Sequence, residues 1–201
     1  MHPTAGGAFM SSYIFVSPGS DPGAGHPLVD PILTSPRPTM GTCRPDLRRL
    51  VRPGDHIFVV SGSRGRTYPQ YVIGGMEIDD KLVDQLEALR QRPENALRFD
   101  EDGQKYGNII VTEDGVQHPL DKHSKFESRI KNYIIGKNPV VLESEREVQL
   151  GREHSVEILC ELFDRKGSRI QQVMGRHRRL SDDQAERLRH ALEDIKREAR
   201  S

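Results

Sequence analysis

No run of apolar residues in this chain is longer than four, the length of Ile57-Phe58-Val59-Val60. A membrane-crossing helix needs about 20, so none is expected, and neither is a membrane partner. The same shortness restricts the core to short strands and one-sided helices. With 201 residues, 34% apolar side chains and 18 glycines, the chain fits one domain, or one domain with an appendage. The first 30 residues lack a basic start followed by an apolar stretch, so no secretory signal is expected and the expected location is cytoplasmic. Cys43 and Cys160 lie far apart with no CxxC spacing. Neither a disulfide framework nor a thiolate zinc site is written here, and no metal or other cofactor is expected.

Residues 1–11 have no periodicity and read as a disordered leader. Ser12-Tyr13-Ile14-Phe15-Val16 is β-branched and aromatic and runs into Ser17-Pro18-Gly19, a strand meeting a turn. From Ser17 to Thr39 the chain holds six prolines and three glycines, too many for a helix or a central strand. A loop of this length in a compact domain is commonly functional, which makes it the first candidate for a binding loop. Arg52-Pro53-Gly54-Asp55 is a turn signal before a buried strand at 56–61. The Gly74-Gly75 pair suits a bulge or a barrel corner in the next strand.

Asp79 or Asp80 can cap a helix over 81–90, with Leu82, Val83, Leu86 and Leu89 on one face. Segments 107–112 and 131–135 read as further strands. Residues 156–163 fit a helix slightly better than a strand. Ser181-Asp182-Asp183-Gln184 is a capping box, and Leu188, Leu192 and Ile195 belong to the narrow apolar stripe of a C-terminal amphipathic helix. That stripe should pack on the domain or on a partner chain, giving a homodimer or an adaptor. The expected organisation is a leader at 1–11, an α+β domain at 12–178 built as a small β-barrel with peripheral helices, and the C-terminal helix at 179–201.

The formal net charge is zero, with 30 Lys+Arg against 30 Asp+Glu, yet the charges are unevenly placed. Residues 37–66 hold seven arginines, no lysine and only Asp46 and Asp55, while nine acidic residues lie between Glu77 and Asp102. A second basic cluster gathers Arg165, Lys166, Arg169, Arg176, Arg178 and Arg179. The planar arginine fork grips phosphate bidentately and stacks on bases, so a nucleotide or nucleic-acid partner is expected. Pairing with the acidic segment on a solvated surface is the alternative. The candidate phosphate contacts are Arg44, Arg48, Arg49, Ser61, Gly62, Ser63, Arg64 and Arg66; the 61–66 turn offers the hydroxyls, N–H groups and guanidiniums of an anion nest. A plain hairpin turn is the competing reading. Tyr68 and Tyr71, flanking a proline at a strand start, are the candidates for stacking on a base. His26, Asp55, His118 and His123 are weak candidates for acid–base catalysis, and His118-x-x-Asp121-x-His123 lacks the helical context of a metal motif.

Thr42-Cys43-Arg44-Pro45-Asp46-Leu47-Arg48-Arg49, followed by Gly54-Asp55, a strand and Ser61-Gly62-Ser63, resembles the nucleotide modification associated domain family, second type. The likeness continues at Gly107-Asn108-Ile109-Ile110, at His118-Pro119-Leu120-Asp121-Lys122-His123 and in outline through 133–136, covering roughly residues 12 to 140. The strand-turn-strand order is also similar to the wider PUA-like group, which includes the EVE, ASCH and YTH modules. The resemblance implies a PUA-like barrel that holds a modified base, in a DNA-modification or phage-defence setting. One departure is the lack of any tryptophan, whereas YTH-type cages use that residue, so stacking falls to tyrosine, phenylalanine or arginine. The reading is a binding module for a modified base or nucleotide. An enzyme acting on such a base and a dimerising adaptor are the alternatives.

Overall fold

The computed structural model describes residues 11–65 and 67–201. The leader, apart from Ser11, and Arg66 lie outside the described residues. The strands are β1 (Ser12–Val16), β2 (Thr39–Met40), β3 (His56–Val60), β4 (Val72–Asp84), β5 (Arg98–Phe99), β6 (Lys105–Tyr106), β7 (Lys131–Val141) and β8 (His177–Leu180). The helices are α1 (Pro45–Leu50), α2 (Gln85–Gln91), α3 (Phe126–Arg129), α4 (Glu145–Phe163), α5 (Ile170–Met174) and α6 (Asp182–Glu198). No helix among the described residues is long and apolar enough to cross a membrane.

Six strands form one sheet in the order β2-β7-β4-β3-β1-β8. All neighbours are antiparallel except β1 and β3, which run parallel with Tyr13 opposite Ile57 and Val16 opposite Val60. The sheet stays open, so the fold is α+β but not the expected barrel. Closure would require its two edges to meet. Instead β2 is only two residues long, and β8 places His177, Arg178 and Arg179 on the other edge, a charged edge of the kind that resists further pairing. A small hairpin of β5 and β6 stands apart from the sheet.

The spine of the sheet is β4, thirteen residues long and bent. Its register against β3 shifts at Val59/Val60 and against β7 at Gly75/Glu77 and Ile78/Asp80, so the bulge expected at Gly74-Gly75 is present. Any side chain at Gly74 would meet the Val140 carbonyl, and at Gly75 the Phe58 ring. The helix expected over 81–90 begins only at Gln85, because Lys81 and Leu82 still pair with Ile134 and Tyr133 of β7. Asp84, rather than Asp79 or Asp80, caps it, accepting from the Leu86 and Glu87 amides at 3.0 and 3.1 Å. Residues 107–112 form no strand, only the bridges Ala96 to Ile109 and Val111 to Gln117, because the Gln85 side chain takes the Ile110 amide at 2.6 Å.

The ambiguous segment 156–163 is the end of α4, which starts at a full capping box of Ser144 and Glu147. The Ser181–Gln184 capping box of α6 also forms. Ala185, Leu188, Leu192 and Ile195 of α6 are buried in the same core as Ile14, Phe58 and Leu159. Of the two expected places for the stripe, the domain or a partner chain, it takes the first, covered by the chain's own α4 and sheet. Segment 179–201 is an integral part of the domain, with β8 paired to β1.

Candidate functional site

The Pro-rich loop of residues 17–38 is held by two buried carboxylates, Asp21 and Asp30. Asp30 Oδ1 accepts from the Gly41 amide at 2.9 Å and the Asn108 side-chain amide at 2.8 Å; Oδ2 accepts from the Thr42 amide at 2.9 Å and from the Cys43 amide. Asn108 also donates to Thr39 and accepts from the Tyr133 hydroxyl at 2.9 Å. Burial pushes the Tyr133 phenol up to about 12. Next to this knot Arg48 is fully buried. Its guanidinium donates to the carbonyls of Cys43 (2.9 Å), Asn132 (2.9 Å), Arg129 (2.6 Å) and Lys131. Burial lowers it to about 10, which leaves it charged at neutral pH. Burial and the adjacent Asp30 push the Cys43 thiol well up, so it stays protonated.

This placement removes Arg48 from the candidate phosphate contacts: its donors hold backbone carbonyls and face no solvent. Its neighbours divide differently. Arg44 forms a bidentate pair with Asp46 at 2.9 and 2.6 Å and lies 5.8 Å from the Phe15 ring, while Arg49 is exposed. The 61–65 turn is likewise part structure. The Ser61 amide donates to the Tyr71 carbonyl and the Gly62 amide to the Ser20 carbonyl, the Ser61 hydroxyl accepts from the Tyr71 amide at 3.0 Å, and Arg64 donates to the Gly19 carbonyl at 2.6 Å. A Cβ at Gly62 would collide with the Pro18 carbonyl, which shows how closely the turn lies on the Pro-rich loop. Two N–H groups of the expected nest are therefore taken. Ser63 and Gly65 remain on the surface.

Tyr71 is fully buried, so it offers no ring face to a base, and burial pushes its hydroxyl up to about 12. Tyr68 is 44% exposed. Both rings lie against Arg152 of α4, whose guanidinium carbon is 4.7 Å from the Tyr71 centroid and 5.5 Å from that of Tyr68. Arg152 also donates to the Pro69 carbonyl and pairs with the buried Asp21 at 2.6 Å. One side chain thus ties α4 to the Pro-rich loop and to the 61–70 loop. The sequence carried no signal for it, because its partners are 83 and 131 residues away.

Two hollows flank the 61–70 loop along one face of α4. The first, about 570 Å³, is lined by Pro22, Tyr68, Glu143, Glu145, Val148 and Arg152 among others. The second, about 460 Å³, is lined by Ser63, Gly65, Gln70, Val156, Ser168 and Arg169. Both are of the size ligand sites occupy. Residues 148, 152 and 156 recur every four positions and so share a helix face. The second hollow brings the turn at 63–65 against Arg169, one member of the second basic cluster. A third hollow, about 510 Å³, lies between residues 33–36 and α6, but its Lys196 is paired with Glu147 and its Arg197 with Asp194.

The catalytic candidates do not assemble. Asp55 is buried, accepting from the Ser11 and Arg52 amides at 2.7 Å each, which is turn capping. His26 is exposed beside Pro27 and Lys105. His118 accepts from the Leu120 amide at 3.2 Å. His123 Nδ1 sits 2.5 Å from Asp121; burial would raise the Asp121 carboxyl, but hydrogen bonds from His123 and Gln117 outweigh it and hold it below the ordinary range. No group of three or more metal-ligating side chains occurs among the described residues.

Compared with protein-family models, curated proteins and solved structures, the chain matches none.

Proposed function

We propose that the protein is a binding module for a nucleotide or a short single-stranded nucleic-acid segment, which lies along α4 and is held from both sides of the 61–70 loop. The observation that carries this reading is that the 63–65 turn and the Ser168-Arg169 segment, about a hundred residues apart, line one hollow with Arg169 as its basic side chain, next to a second hollow that displays Tyr68. Ser63 and Arg169 are the polar groups positioned to hold phosphate, because a hydroxyl and a guanidinium both donate. Tyr68 supplies the face on which a base stacks, a contact every base can make. A modified base, in a DNA-modification setting, is the ligand the family likeness adds to this reading.

The test is the affinity of the purified protein for a fluorescent single-stranded oligonucleotide across a salt series, with Arg169→Ala alongside. Binding is expected to weaken as salt rises, because phosphate contacts release counterions, and to weaken further in the variant with a shallower salt slope. Binding with no salt dependence, or with the variant unchanged, contradicts the placement of phosphate in this hollow.

A further inference from the structure

The two hollows beside the 61–70 loop differ in what their polar atoms can do. In the one at residues 63–65 the charged group is a donor, the Arg169 guanidinium. In the one at Tyr68 the cation is already committed: Arg152 is bound to Asp21 and to the Pro69 carbonyl and lies beneath the two tyrosine rings. What remains open there is two carboxylates and the Thr67 and Tyr68 hydroxyls. Glu143 and Glu145 line the hollow, and their carboxylates take no hydrogen bond or ion pair among the described residues. A phosphate is repelled by such a lining, whereas a flat ring with N–H groups along its edge suits both the carboxylates and the Tyr68 face.

The four common bases differ sharply in that respect. Guanine presents two adjacent donors, N1–H and the N2 amino group, which one carboxylate accepts side by side. Adenine and cytosine present one amino group beside a ring acceptor. Thymine and uracil present one N–H between two carbonyl oxygens, which a carboxylate repels. We propose that the Tyr68 hollow selects guanine, stacked on Tyr68 with its Watson–Crick edge toward Glu143 and Glu145, and with its phosphate directed to Ser63 and Arg169. Arg152 and Val156 are four residues apart on α4, about 6 Å along the helix axis, a separation a single nucleotide spans. This inference rests on the nucleotide-binding reading above and adds the identity of the base.

The experiment compares five single-stranded DNA pentamers that are thymidine throughout except for the central residue, which is guanine, inosine, adenine, cytosine or thymine. The expected order is guanine first by about tenfold over thymine, the scale of one bidentate base contact, with inosine, which lacks the N2 amino group, in between. The double variant Glu143→Gln/Glu145→Gln is expected to lose that preference while still binding the all-thymidine pentamer. Equal, salt-sensitive binding of all five overturns the guanine assignment and leaves the phosphate groove standing. Preference for adenine or cytosine overturns it as well, and so does a double variant that keeps the guanine preference. Failure of every pentamer to bind at low salt overturns both the guanine assignment and the nucleotide reading beneath it.

Discussion

The knot around Asp30 and the groove along α4 are made of the same kinds of residue, yet one is closed and the other open. In the knot the Asp30 carboxylate has four donors and the Arg48 guanidinium holds four carbonyls. Buried charge of this sort is tolerated only when its hydrogen-bonding capacity is met, and meeting it leaves nothing to offer a ligand. Along α4 the same chemistry is divided between a buried anchor, Arg152 with Asp21, and exposed groups, Glu143, Glu145 and Arg169, that have no side-chain partner among the described residues. The comparison teaches that an arginine-rich segment is informative about binding only once the arginines that support the backbone have been subtracted.

The largest expected effect lies in the knot. Arg48→Ala should destabilise the protein by about 3–5 kcal/mol, because it leaves four carbonyls unmet and removes the cation beside a buried carboxylate. For a chain of this size that lowers Tm by more than about 6 °C, and a smaller drop in thermal denaturation would show the knot to be unimportant. Tyr68→Ala should do the reverse. Stability is expected to change by less than about 0.5 kcal/mol, while oligonucleotide binding weakens by roughly 1–3 kcal/mol, about five- to hundredfold. A Tyr68→Ala protein that binds as well as the parent would remove the stacking contact from the account.

A third contrast concerns pH. His56 is nearly buried, stacked 6.0 Å from the Phe58 ring, and burial lowers its pKa, partly offset by Glu77, Glu186 and Asp55 and reinforced by Arg189. The folded state therefore binds a proton less readily than the unfolded state. Its contribution is fully present above the unfolded value of about 6.5 and is lost as pH falls below it. Asp121, held low by its partners, acts with the same sign but at lower pH, below about 3.9. Denaturation midpoints of the parent and a His56→Gln variant between about pH 7.5 and pH 3 separate the two, since the variant should lose the upper part of the decline. The smallest effect is expected at Arg49, the exposed neighbour of Arg48. Arg49→Ala should leave both stability, within about 0.5 kcal/mol, and binding unchanged.

Much of the framework was legible before the structure. The apolar runs of β1 and β3, the bend at Gly74-Gly75 and the Ser181–Gln184 capping box all follow from local chemistry. What failed depended on distant partners. The helix start at 81 was overridden because β7 lies beside Lys81 and Leu82 and offers backbone pairing that outweighs propensity. The barrel did not close because the edges are short and charged. Within the site Ser63 was legible as part of the 61–66 turn and Tyr68, with Tyr71, as a stacking candidate at a strand start, whereas Arg48 and Arg49 were indistinguishable in sequence. Arg152 and the hollows of α4 were invisible because they exist only where three remote segments meet.

The central claim is that ligand lies along α4 rather than over the 44–49 segment. Amide hydrogen exchange of the full chain, with and without a saturating single-stranded oligonucleotide, tests it directly. The account predicts new protection at residues 63–70 and 168–170 with none at 44–49. Protection confined to 44–49, with the α4 face unchanged, would contradict it.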